Sequence, residues 1–396
     1  MFNKIVVKKK EKVKVMKSRL KKLIGKVLPL RNSIVFESNP EFGCNTLPVY
    51  NELVKRGIRK KYQIYWLVKN KAIYKGEKHG IKYINYEEKG FAKVRRAYIL
   101  CTSKLLIFSN VFLKKHKKSQ LVINLMHGSP LKNPIGYWEG DNCDFVITQA
   151  KFFNSKISEI LGVPESKMIA LGYPRTDVLK NRGDTKTKLN IPCCNKVIVW
   201  MPTFRKNASS GIEYCDVSKL GVPLLQSKQD FSNLNRTLQE NKVVLLIKLH
   251  QAEDVKGMIL KNYSNICFVN DNKLKEKNIF VYQVLADSDA LITDYSSVYY
   301  DYLLVDRPIG LVINDIEEFE KKGKFAYGRY TDFVKGTYIY TLFDLERFII
   351  DLNMGRDISR DKRHQAFKKY CQYTDFCSTI RVCDFIEKNI NEKFEK

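Results

Sequence analysis

Residues 290–308 read ALITDYSSVYYDYLLVDRP. Ala290 to Thr293 is a short apolar run of the kind that forms a buried strand. Asp294, Ser296 and Ser297 stand where a helix should begin. Val298, Tyr302 and Val305 supply that helix with an apolar face, and Arg307-Pro308 stops it. A strand that turns directly into a Ser-capped helix exposes unpaired backbone N–H groups and the positive end of a helix dipole, a seat for phosphate. Ser and Asp also cap helices that bind nothing, so this stretch by itself decides for a strand–helix unit and not for a ligand.

Three other apolar runs end in residues suited to phosphate. LVINLM at 121–126 leads into His127-Gly128-Ser129-Pro130, VIVWM at 197–201 into Pro202-Thr203-Phe204-Arg205, and VVLLI at 243–247 into Lys248-Leu249-His250. Ligands of open α/β sheets sit beyond the carboxyl ends of the strands. The pattern around these runs alternates strand and helix. Strands are predicted at 33–37, 63–68, 81–86, 105–109, 121–126, 145–148 and 168–171, with helices at 46–56, 90–97 and 151–161. After a polar stretch at 182–184 the alternation restarts, with strands at 197–201, 243–249, 266–269, 290–293 and 309–313. Helices follow at 229–240, 281–286 and 297–305. Such alternation argues two parallel, doubly wound sheets. Residues 206–211 (KNASSG) read as a flexible surface loop. The tail from Leu342 is helical and charged, and is expected to strap back across the first domain.

HGSPLKNPIGYW at 127, GYPRTDVL at 172, PTFR at 202, IKLH at 247 and DYSSVYYD at 294, in this order, resemble the CDP-glycerol glycerophosphotransferases, which prime or polymerise teichoic acids. The resemblance covers about 32–322, and five motifs in order carry far more weight than any one. It implies a GT-B-like α/β fold: two Rossmann-like domains facing a cleft, preceded by a basic amphipathic helix. The boundaries drawn are 1–32 for the membrane-contact segment, 33–185 for the acceptor domain, 186–341 for the CDP-alcohol domain and 342–396 for C-terminal helices.

The reaction so implied moves an alcohol phosphate from a pyrophosphate to an acceptor hydroxyl and releases CMP. It needs a base, an aligned nucleophile and donors on the phosphate oxygens. His127 follows a strand and precedes Gly128, which lets a ligand approach closely, and imidazole titrates near neutrality. By resemblance it is the base, although a strand-end His bonded to backbone fits the sequence equally. His250 and Lys248 alternate on one strand and share a face, so both, with Leu249, are assigned to the pyrophosphate, His250 on the leaving phosphate. Arg175 suits a bidentate phosphate grip, or else an ion pair with Asp177. Gly128, Ser129, Pro130, Pro202, Thr203, Ser296, Ser297 and Asp301 complete the substrate set. Asp294 is read as a cap or as a partner that orients His250. Ser129 stands where the family more often has Thr, Gln251 where it has Pro, and DFVKGT at 332–337 replaces an expected Pro-Gly-Pro. These departures bear on the substrate more than on the reaction.

Of 396 residues, 70 are Lys or Arg and 42 Asp or Glu, a net charge of +28 that favours polyanionic partners. No nucleic-acid signature accompanies that charge, so nucleic acid is not the expected partner. The 10 cysteines include no Cys-x-x-Cys pair and read as small buried hydrophobes in a reducing cytosol. No signal peptide or membrane span is visible. Residues 1–31 are Lys-rich, with Val13, Met16, Leu20, Leu23, Ile24 and Val27 at helical spacing, a pattern that suits an anionic membrane surface. The expectation is therefore a peripheral enzyme on the cytoplasmic face of the membrane, using CDP-glycerol or CDP-ribitol and a polyprenyl-linked glycan acceptor. No Asp-x-Asp pair ends a strand, so no metal or cofactor is demanded, which leaves room for stimulation by Mg²⁺. With no further long domain in view, a primase or short-chain transferase is expected. A GT-B hexosyltransferase, which would release a nucleoside diphosphate, and a non-enzymatic polyanion binder are the competing readings.

Overall fold

The computed structural model describes residues 28–74, 80–111, 113–133, 143–203, 206–207, 212–213, 222–248, 263–322 and 325–394. The amphipathic segment expected within 1–31 lies almost wholly outside them, as do Leu249 and His250.

Two parallel sheets organise the chain. The first has seven strands: β1 (Arg31–Glu37), β2 (Gln63–Val68), β3 (Ile81–Asn85), β4 (Ser103–Phe108), β5 (Leu121–Asn124), β6 (Phe145–Thr148) and β7 (Met168–Ala170), in the order β3-β2-β1-β4-β5-β6-β7. Of a short antiparallel pair, β9 (Lys206–Asn207) and β10 (Ile212–Glu213), the first occupies the start of the stretch read as a loop and the second follows it. The second sheet has six strands: β8 (Lys196–Met201), β11 (Val243–Lys248), β12 (Ile266–Val269), β13 (Ala290–Thr293), β14 (Ile309–Val312) and β15 (Thr337–Ile339), in the order β12-β11-β8-β13-β14-β15. Renumbered within its own lobe, that order is 3-2-1-4-5-6, the Rossmann order, which also begins the first sheet. The strand order reverses between β1 and β4 in one lobe and between β8 and β13 in the other.

The central strands are apolar on both faces because helices cover both faces. Ile34, Val35 and Phe36 of β1 and Val243 to Ile247 of β11 are buried almost completely. β15 was missed by the sequence reading: it has three residues, only Ile339 fully buried, and DFVKGT in front of it carries no strand signal. One apolar cluster runs through both lobes, from Val35, Leu106 and Val122 to Val199, Leu246 and Leu291.

The last helix, Ser378–Phe394, crosses back to the first lobe. Val382, Cys383, Ile386 and Ile390 pack with Ile34, Phe36, Val49 and Leu53, and Arg56 meets Asp384 at 2.6 Å and Glu387 at 2.8 Å. Ile386 is 0% exposed. Truncating it to Ala should cost about 2–5 kcal/mol, transfer and cavity together. Urea unfolding monitored by circular dichroism checks this; an unchanged midpoint would mean that the helix is not part of the folded core.

Candidate functional site

Four of the predicted residues, Gly128, Arg175, Ser297 and Asp301, come together between the two lobes. β5 ends at Asn124, and the chain then passes through Met126 at φ 53°, a left-handed conformation rare for a side chain of this size. His127, Gly128 and Ser129 follow that turn. A Cβ on Gly128 would overlap Ser297 Oγ and stand 3.4 Å from Arg175 Nη2, so only glycine lets the first lobe's loop reach the second lobe's helix start.

That helix differs from its expected form. It spans Val298–Tyr302, continues as a 3₁₀ turn over Leu303–Val305, and ends at Asp306 with φ 47°. Ser297 makes no side-chain cap bond, and Ser296 Oγ accepts a long one, 3.5 Å, from Val298 N. The segment is not a surface helix with one apolar face: Val298 to Tyr302 are all buried, Asp301 included. Asp301 therefore points inward. Its Oδ2 accepts from Arg175 Nη2 at 2.5 Å and from the Tyr282 hydroxyl at 2.5 Å. Arg175 comes from the first lobe's 3₁₀ segment Pro174–Lys180. Its guanidinium also donates to the His127 carbonyl and to Cys44 Sγ, and lies between the Tyr173 and Tyr282 rings. The alternative pairing of Arg175 with Asp177 is absent. Asp177 accepts instead from Ser378 N and Thr379 N.

Further ties hold the His127 loop to the second lobe. Ser129 Oγ donates to Gln149 Oε1 at 2.7 Å, and Gln149 Nε2 donates to the Tyr300 carbonyl at 3.4 Å. Just beyond Pro130, Ala326 N donates to the Leu131 carbonyl at 3.0 Å and Lys132 bridges to Phe325. His127 as a residue is exposed, although protein surrounds its imidazole closely. Burial and the nearby Arg175 guanidinium push the imidazole below its ordinary value, and a hydrogen bond with the Ser109 main chain opposes them. A lowered value favours the neutral ring, the state in which a base can accept a proton.

In the second lobe, Thr203 N donates to both carboxylate oxygens of Asp294 at 2.9 Å, and its hydroxyl bonds the same group. Asp294 therefore ties the end of β13 to the loop after β8, at the point where the strand order reverses. Pro202 beside it is buried. Lys248, at the end of β11, pairs with Asp271 at 2.9 Å. Among the described residues no group of His, Cys, Asp and Glu could hold a metal ion, and no helix is long and apolar enough to cross a membrane.

Sequence reasoning missed Asn45, Tyr282 and Gln149. Asn45 is fully buried beyond the end of β1, and its amide donates to the Leu125 and Met126 carbonyls, both at 2.9 Å. It stands well past the end of β1 at Glu37, directly before the helix Thr46–Lys55, so the rule applied to the strand ends does not reach it.

A sequence profile of the family described as CDP-Glycerol:Poly(glycerophosphate) glycerophosphotransferase matches residues 22–388. A teichoic acid poly(glycerol phosphate) polymerase of Staphylococcus epidermidis is 25% identical over 91% of this chain and 51% of its own length. The teichoic acid ribitol-phosphate polymerase TarL of Staphylococcus aureus is 25% identical over 89% of this chain and 61% of its own length. The chain thus spans roughly half to three-fifths of these two relatives. A teichoic acid glycerol-phosphate transferase of S. aureus, 24% identical, is covered over 95% of its length, with 93% of this chain. Among solved structures, one of the wall teichoic acid polymerase TagF superposes with a TM-score of 0.75 at 23% identity, covering 100% of this chain and 98% of that one. A putative UDP-N-acetylglucosamine 2-epimerase from Listeria monocytogenes superposes at 0.54 and 14% identity, covering 91% and 97%. At such identities the structures speak for a shared GT-B-like fold.

Proposed function

The chain belongs to the CDP-glycerol:poly(glycerophosphate) glycerophosphotransferase family, and on that premise we propose that it transfers glycerol phosphate from CDP-glycerol to a hydroxyl of a polyprenyl-linked teichoic acid acceptor. The single observation that carries this reading is the contact of Gly128, next to His127, with Ser297 at the second lobe's helix start. It supports reading His127 as the base and the helix start as the phosphate seat, since it brings the loop that carries His127 to Ser297.

The acceptor oxygen bonds to the glycerol-bearing phosphorus, the bridging P–O bond breaks, and its electron pair leaves with CMP. His127 takes the hydroxyl proton. Ser296, Ser297 and Thr203 are assigned to the donor, and Lys248 would exchange Asp271 for a phosphate oxygen. His250 is assigned to the leaving phosphate. Arg175 and Asp301, committed to each other, hold the lobes together instead of gripping the donor. The reaction takes place on the cytoplasmic face of the membrane, where residues 1–31 contact anionic lipid, and it calls for no metal.

The test is to incubate the full chain with CDP-glycerol or CDP-ribitol and a lipid-disaccharide acceptor, and to weigh the products. One glycerol phosphate added per CMP released, at the same rate in EDTA, is the expected result. Release of a nucleoside diphosphate from a nucleotide sugar would replace the proposal with a hexosyltransferase. Ribitol transfer is the second reading, favoured by the equal identity to TarL; preference for CDP-ribitol in this assay would establish it.

A further inference from the structure

Asn45 uses its whole carboxamide. Nδ2 donates to the carbonyls of Leu125 and Met126, each at 2.9 Å, and Oδ1 accepts from Arg175 N at 3.1 Å. The side chain is 0% exposed. It therefore joins three segments: the loop after β1, the turn after β5 and the segment that carries Arg175. The middle one is the left-handed turn at Met126, immediately before His127. A non-glycine residue in that region is strained and persists only where its surroundings over-determine it. Here they do. Asn45 binds the carbonyls on both sides of the Met126 N–H, Asn124 Oδ1 accepts that N–H at 2.8 Å, and the Cys44 thiol lies 3.9 Å from the Met126 carbonyl.

Building on the proposed glycerophosphate transfer, we propose that Asn45 is a positioning residue for His127: it holds the strained turn that delivers the imidazole to the meeting of the lobes. It touches neither donor nor acceptor. A single amide does this because its loss would take the donor from the buried Leu125 carbonyl and leave the Met126 carbonyl to the more distant Cys44 thiol. Ala cannot replace it, and Asp would set an oxygen against the two carbonyls.

Asn45→Ala and Asn45→Asp should release CMP on the order of 100-fold more slowly, the scale of a 1 Å misplacement of a reacting group. The KM for CDP-glycerol should stay within about twofold, since uniform binding is untouched. In a His127→Ala background, Asn45→Ala should have no further effect on the residual rate. An equal loss in both backgrounds would overturn the proposal. A fold-only role predicts a lower thermal midpoint with kcat per folded molecule unchanged, which would also overturn it.

A readout independent of turnover separates this idea from the donor assignment. Histidine-labelled protein has only 5 imidazoles, and the His127 signal is assigned by its loss in His127→Ala. In Asn45→Ala that signal should move and titrate nearer the ordinary histidine value. If wild type fails to use CDP-glycerol but the His127 signal still moves, the function proposed above fails and the positioning role stands. An unmoved signal sinks the positioning role whatever the substrate.

Discussion

His127→Ala should abolish CMP release to within background, a loss of roughly 10²–10⁴-fold, while CDP-glycerol binds as before. That is the span general acid–base catalysis supplies. His127 adjoins the Gly128–Ser297 contact in the chain, an imidazole ordinarily titrates near neutrality, and the lowered value favours its neutral form. Initial rates and calorimetric binding of CDP-glycerol check the two halves separately. Loss of binding in step with rate would make His127 a ligand for the donor and not a base. The pH profile adds a sign. Burial and Arg175 depress the folded value, so the rate should be flat through neutrality and fall only on the acid side, with a midpoint below about 6.5. The same depression ties folding to pH. The unfolded chain takes up this proton first, so the stability present above the ordinary histidine value is lost as pH falls through the depressed one.

What the sequence made legible was the periodic part. The runs VIVWM and VVLLI are buried because both faces of a parallel sheet are covered, and continuous apolarity reports that directly. Strand β13 and the polar cluster after it were readable for the same reason. The partner of Asp301 was not. Its spacing from Ser297 put it on a phosphate-facing surface, but spacing cannot tell that the helix is buried all round. Arg175, 126 residues away in the chain, is brought to it by the packing of two lobes, and no local pattern records a contact of that range. Asp294 shows the intermediate case. A cap at that place was legible, and the structure gives its oxygens to Thr203 from the neighbouring strand end. Asn45 was hidden by its company, since FGCN reads as a turn.

Asp301→Leu should destabilise the protein by about 3–5 kcal/mol, because it strands the Arg175 guanidinium in the interior without its counter-charge. Arg175 is 5% exposed and Asp301 0%. The pair is costly to break and still imperfect: among the described residues Arg175 Nε and Asp301 Oδ1 find no hydrogen-bond partner. Replacing both by apolar residues of similar volume, Arg175→Met with Asp301→Leu, removes both charges at once and should restore most of the lost stability. Urea unfolding of the two single variants and the double variant measures the coupling. Activity should not return with stability. Arg175 also donates to the His127 carbonyl, and its charge helps to keep the ring neutral, so the double variant should fold well and release CMP slowly, with its acid limb displaced upward. A double variant as unstable as Asp301→Leu would show that packing at this place, and not charge pairing, holds the lobes together. Full activity in a stable double variant would show that the pair secures the fold and leaves His127 alone. Slow turnover in a well-folded protein is the outcome that makes one buried ion pair serve both the joining of the lobes and the aim of the imidazole.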